Sequence, residues 1–325
     1  MRVALSWKFL AALVLATPAV AEPGKPIEIA PVQGPVEIDR TTITQDVAFK
    51  IDAHDRMTVQ VHLGGRGPYR FLVDTGADRT AVSTAIAAQL GLIDGPTAIL
   101  HSITGTSSVR TANVPQLELS QNRVRSVDAP LLEAANMGAD GILGVDSLRS
   151  QRVLFDFKTR IISIVPSAQR VKQEEGTIVV NGKLRRGHLI VTSATANRVP
   201  MTVVLDTGSE ITLGNSALRA KLEARHRLGT GQRVEMMSVT GQKITGDAFH
   251  LKLVEIGGVN LEDLVILFAD AAIFRSLELD NKPAVLLGMN AMRAFDKVSI
   301  DFARKQLRMV IPEESSVEGA VMAAR

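Results

Sequence analysis

Short runs in which apolar residues alternate with polar ones, or stand together, recur along most of the chain. TVQVHL, QLELS, IISIV, LIVTSAT, AFHLKL and LRMVI are such runs, separated by Gly, Pro and Asn turn signals. A period of two bounded by turn residues predicts strands, so the pattern predicts a mostly β protein. Helical candidates are brief: AVSTAIAAQLGL, NSALRAKLEA, and the turns after GILG and VLLG.

The pattern also repeats. YRFLVDTGADRTAVS around Asp74 returns as MTVVLDTGSEITLGN around Asp206, and Val47, Val59 and Pro68 return as Val179, Val191 and Pro200. Further on, Thr104-Gly105 returns as Thr240-Gly241, GILG as VLLG, and the segment around Asp156 as that around Asp301. The offset grows along the way, so the second copy carries insertions, the largest within 268–283. Two similar halves of this kind predict a pseudo-twofold protein with its working groups on the axis. The expected lobes are 46–167 and 178–312, joined by a polar linker at 168–177.

Composition narrows the possible chemistry. The 325 residues are 46% apolar, which excludes a disordered chain, and aromatics are only 4%, so the core must be aliphatic. Lys+Arg 37 against Asp+Glu 34 gives a net charge of +3, too balanced for a nucleic-acid footprint. Zero Cys excludes disulfides, thiolate metal sites and a Cys nucleophile. The six His lie scattered without HExxH spacing, so neither a metal nor any other cofactor is expected.

The first 21 residues read as a secretory signal: Arg2 and Lys8 are basic, Phe9 to Ala16 is a short apolar run, and Ala19-Val20-Ala21 fits a cleavage site. Export to a bacterial periplasm or beyond is the expectation, with no membrane span after cleavage. Residues 22–45 form a Pro-rich arm and 313–325 a polar tail.

Each Asp-Thr-Gly follows an apolar run, Phe71-Leu72-Val73 or Val203-Val204-Leu205, so each Asp stands where a buried strand enters a tight loop. An acid there is costly unless it is hydrogen-bonded or functional. If the pseudo-axis passes between the loops, Asp74 and Asp206 face each other. Two carboxyls about 3 Å apart cannot both ionise and hold one proton between them. That pair offers a base and an acid at once, which suits the addition of water to an amide.

FLVDTGADRTAVS with GILGVDSL resembles the retropepsin-like aspartic proteases, and the resemblance extends over both lobes. It implies an all-β fold of two retropepsin-like barrel lobes, with the two copies that retroviral enzymes bring together as a homodimer fused in one chain. Asp74 and Asp206 become the catalytic pair. Thr75 and Thr207 would bond across to the opposite loop, while Gly76 and Gly208 would offer N–H groups to the carboxylates. Asp78 matches a position that contacts substrate main chain, and Glu210 stands there in lobe two. The implied partner is a polypeptide, bound by a monomer that is internally a pseudo-dimer.

There are departures from the retroviral pattern. The Arg that follows the hydrophobic-hydrophobic-Gly triplet in retroviral enzymes is Val145 here and Met289 in the second copy, so the ion pair it makes with the Asp-loop acid is expected to be absent. Asp146 and Asn290 follow instead. Pepsin-like enzymes fit less well: their two Asp residues lie further apart, and their single flap carries a Tyr, whereas the lone Tyr here is Tyr69. Both lobes instead carry a hairpin, turning at Thr104-Gly105 and Thr240-Gly241, that could close over an extended peptide. Finally, Ser209 follows the second DTG where Ala77 follows the first. A Ser hydroxyl donated to Asp206 would favour its ionised form and leave the shared proton on Asp74. The expectation is thus an aspartic endopeptidase; a peptide-binding module without turnover is the reading of a different class.

Overall fold

The computed structural model describes residues 2–4, 46–48, 58–103, 105–119, 122–171 and 174–312. Most of the leader, the Pro-rich arm, the C-terminal tail and Thr104 lie outside the described residues. Among the described residues no helix is long and apolar enough to cross a membrane.

The aliphatic strands form two barrels. In the first lobe Asn122–Leu132, Ala81–Ser83, Gly141–Leu143, Arg66–Val73, Thr58–Leu63 and Thr111–Leu119 pair in that order. Thr111–Leu119 then pairs back onto Asn122–Leu132, closing a six-stranded ring. In the second, Val259–Phe268, Thr212–Gly214, Ala284–Leu287, Val199–Leu205, His188–Ala196 and Lys243–Ile256 follow the same order, and the last again closes on the first. Closure leaves these backbones no free edge.

Strand Arg66–Val73 shows why the apolar run precedes the Asp. It pairs with Thr58–Leu63 on one side and Gly141–Leu143 on the other. Phe71 and Val73 face the main core while Leu72 packs on the opposite side with Ala81, Met137 and Ile142. A strand covered on both faces must be apolar at every position, and each such side chain contributes about 1.5–3 kcal/mol by leaving water. Val203, Val204 and Leu205 are divided between two clusters in the same way.

A third, six-stranded sheet joins the lobes, in the order Thr177–Asn181, Gln306–Val310, Lys297–Asp301, Gln151–Asp156, Ile161–Pro166 and Asp46–Ala48. At its centre Arg152 stands opposite Asp301, Leu154 opposite Ser299 and Asp156 opposite Lys297. The sequence repeat makes Arg152 the counterpart of Lys297, Leu154 of Ser299 and Asp156 of Asp301. Equivalent residues therefore pair reciprocally, as across a twofold interface, and the pseudo-axis runs through the Leu154–Ser299 pair.

The anticipated helices form over Thr84–Leu90 and Ser216–Ala224, capped by Ser83 and Asn215. Short turns follow the two Gly motifs at Val145–Ser147 and Met289–Met292. Two further helices, Ala134–Met137 and Ala272–Ser276, have no side-chain N-cap bond and are shorter than two turns. Too brief to show a helical period, they escaped the sequence pattern.

Candidate active site

Both DTG loops meet at the pseudo-axis, held by a reciprocal lattice. The Thr75 N–H donates to Thr207 Oγ1 and the Thr207 N–H to Thr75 Oγ1, each at 3.1 Å. Thr75 Oγ1 donates onward to the Leu205 carbonyl at 2.9 Å, and Thr207 Oγ1 to the Val73 carbonyl at 2.6 Å. All four donors are buried, so each bond replaces water that cannot enter.

The lattice sets Asp74 and Asp206 in side-chain hydrogen-bonding contact. Gly76 N–H donates to Asp74 Oδ1 at 2.8 Å and Gly208 N–H to Asp206 Oδ1 at 3.0 Å. Glycine is required here by space: a Cβ on Gly76 would stand 2.5 Å from Asp206 Oδ1, and one on Gly208 only 2.2 Å from Asp74 Cγ. Each glycine thus bonds its own loop's acid and makes room for the other's.

Beneath the loops the second copy again echoes the first. The Asp74 N–H donates to Leu143 and the Asp206 N–H to Leu287. Asp146 Oδ1 accepts from the Thr80 N–H at 2.9 Å and its hydroxyl at 2.8 Å, and Asn290 Oδ1 accepts from the Thr212 N–H and hydroxyl at the same distances. Gly144 and Gly288 abut Arg79 and Ile211, with no space for a side chain.

Burial shifts both acids of the pair in the same direction. Burial pushes Asp206 up to about 8, and the charge of Asp74 adds to the shift. Asp74 is also raised by burial, but N–H groups of both Gly76 and Ala77 and the bond from Asp206 pull it back. Burial and mutual repulsion thus keep one proton on the pair, shared between the two carboxyls. The expectation built on Ser209 loses its premise. The Ser209 hydroxyl donates to the Ile211 carbonyl at 2.7 Å, bracing its own loop rather than the carboxylate.

The acids further along each loop also have partners. In lobe two Glu210 pairs with Arg293 at 3.1 Å. The position after Gly288 is Met289 and makes no ion pair, but an Arg five residues after Gly288 reaches back across the turn and pairs with the loop acid in its place. In lobe one Asp78 instead meets His188 of lobe two at 2.9 Å. In the sequence His188 is one of six scattered histidines. The repeat aligns it with Arg56, so no matched residue type drew attention to it.

The two hairpins cross to the opposite lobes. Ala98–Ser102 pairs with Gly105–Val109, and Ile103 at that turn packs into a cluster containing Phe274 and Leu277 of lobe two. Both belong to the insertion at 268–283. In lobe two Gln232–Met237 pairs with the start of Lys243–Ile256. At that turn Gly241 N–H donates to the Ser238 carbonyl, while Thr240 and Ser238 share a hydroxyl bond. Val239 packs with Met137 and Ala139 of lobe one, and Gly241, at φ +78°, lies against Asn136. Ile103 and Val239 are counterparts in the repeat, so the hairpins exchange equivalent anchors.

Such a pair of carboxyls, one protonated and one ionised, can take a proton from a water and give one to a carbonyl oxygen in the same event. Among the described residues no group of three or more His, Asp or Glu could hold a metal.

Residues 59–150 match the family described as "gag-polyprotein putative aspartyl protease", and residues 192–291 match the family described as "Aspartyl protease". No curated protein matches the chain. With one match in each barrel, together spanning more than half of the sequence, the chain belongs to the retropepsin-like aspartyl protease family.

Proposed function

We propose that the protein is an aspartic endopeptidase whose complete site is formed within one chain. The observation that carries this reading is the contact between Asp74 and Asp206, each bonded by its own loop glycine and locked by the Thr75–Thr207 exchange. Asp74 takes a proton from the bridging water, which attacks the scissile carbonyl, while Asp206 gives its proton to the carbonyl oxygen. The tetrahedral intermediate then collapses as the amide nitrogen is protonated. No metal or covalent intermediate is needed.

The substrate is an extended polypeptide, lying between the DTG loops and the two hairpins and held by strand-like main-chain bonds. Asp78 and Glu210 flank this cleft as main-chain contacts, and the two hairpins, reaching Gly105 and Thr240-Gly241, close over it. The N-terminal leader supports export, and the internal duplication supports a monomer as the working unit.

The test is cleavage of an unfolded protein from acidic to neutral pH, with and without a pepstatin-type inhibitor. Asp74→Asn and Asp206→Asn each abolish turnover if the reading is right. A wild-type protein that binds peptides but leaves them intact would make it a peptide-binding module instead. Activity proportional to protein concentration supports a site within one chain; a steeper dependence means that lobes pair between chains.

A further inference from the structure

His188 belongs to lobe two, yet its ring sits in the Asp loop of lobe one. It opens strand His188–Ala196 and is 1% exposed. Nδ1 is 3.1 Å from the carbonyl oxygen of Thr75, and Nε2 is 2.9 Å from Asp78 Oδ1. Each of these neighbours is an acceptor. A neutral imidazole has one N–H and one lone pair, so either tautomer would turn its lone pair on an oxygen. Only the doubly protonated ring satisfies both contacts.

We propose that His188 is a buried imidazolium that positions Asp78 for substrate and holds a positive charge beside the Asp74–Asp206 pair, making peptide binding dependent on pH. The kinetic part rests on the proteolytic reading above; the protonation and its link to Asp78 do not. The titratable groups facing the ring are Asp78, Asp74 and Asp206, all acidic. Arg79, next in the loop, acts on Asp146, and Arg185 turns away to Leu277 and Glu278. Burial opposes the charge on His188, but the bond and charge of Asp78, the bond to the Thr75 carbonyl and the charge of Asp206 together outweigh it and hold the ring's proton above the ordinary histidine range. In return, the cation draws both carboxyls of the pair downward against their burial.

The geometry assigns His188 two tasks as a positioning residue. It fixes the Asp78 carboxylate, whose side chain is 64% exposed and would otherwise turn freely in solvent. Through the Thr75 carbonyl it also fixes the residue between Asp74 and Gly76. As the pH rises past the histidine's titration one of the two bonds is lost, and Asp78 is released.

The decisive measurement is NMR of isotope-labelled wild-type protein, which needs no activity. Both ring nitrogens of His188 are expected to carry hydrogen at about pH 6, with titration above that of a free histidine. Asp78→Asn, an exposed change compatible with folding, should lower that titration by about one unit. A single neutral tautomer at about pH 6, or a titration indifferent to Asp78→Asn, overturns the proposal. In kinetics, KM for a peptide should rise through the same pH at which the ring titrates, with kcat changing less. His188→Gln should remove that step and move the acid limb of kcat/KM up by about one unit, as the pair loses its cation. An unmoved acid limb in folded His188→Gln contradicts the electrostatic task. If wild type cleaves nothing, the proteolytic reading fails while the NMR result still decides the protonation of His188.

Discussion

Thr75 and Thr207 are each other's mirror image: each hydroxyl accepts the other's N–H and donates to the strand that delivers the other's Asp. The two lobes are thereby locked at the point where their acids meet, and neither acid loop is complete without the opposite lobe.

Replacing Thr207 by Val keeps the shape and removes the hydroxyl. The Thr75 N–H and the Val73 carbonyl are then buried without partners, at about 1–3 kcal/mol each. Denaturant unfolding should show a loss of about 2–6 kcal/mol. Thr75→Val should cost a similar amount, and the double variant less than the sum, because both sit in one network.

Gly76→Ala and Gly208→Ala place a methyl on the opposite carboxyl, 2.5 and 2.2 Å away. Peptidase activity should drop at least 100-fold, on the order of losing a group that holds transition-state charge. Gly229→Ala, with nothing within 4 Å of the new carbon, serves as a control. Equal loss in the control would show that the effect comes from general misfolding.

Asp206 is held protonated at a cost to the fold. A carboxyl whose pKa is raised from 3.8 to about 8 contributes its stability below the unfolded value and loses it as pH climbs toward the folded one. Asp206→Asn removes that loss. At neutral pH the variant should unfold later than wild type, by about 1–3 kcal/mol, while being inactive. At about pH 3, where the unfolded carboxyl is also protonated, the gain should vanish. A gain unchanged between the two pH values would show that Asp206 is not held above its unfolded titration.

The shared proton shapes the expected activity profile. The proposed mechanism needs one carboxyl of the pair ionised and the other protonated, so kcat/KM should fall as pH rises through about 8. Ser209→Ala should leave the limbs of the profile in place, since its hydroxyl braces Ile211 and not the carboxylate.

Asp146 and Asn290 provide a comparison made by the molecule itself. They take equivalent bonds from Thr80 and Thr212, one as an acid and one as an amide. Burial raises Asp146, so its ionised form is disfavoured. Asp146→Asn should therefore stay within about 1 kcal/mol of wild type by thermal unfolding, whereas Asp146→Ala should lose about 2–3 kcal/mol by orphaning the Thr80 donors.

Much of the site was legible in the chain because duplication writes the same chemistry twice. The matched apolar runs, the two DTG loops and the paired glycines identified the β lobes and the residues that converge between them. Period-two burial acts within a few residues and the repeat writes each loop twice, so sequence carries them. Other features depended on contacts between segments far apart. Nothing local says that Arg293 reaches back to Glu210, or that Ile103 and Val239 anchor in opposite lobes. The role of His188 is the clearest case. Alone in the sequence it is one histidine among six, and only the docking of two barrels faces both of its ring nitrogens with oxygens 110 and 113 residues away. A strand pattern determines which side chains are buried; which partners they meet, and which proton is shared, is decided by how the halves close on one another.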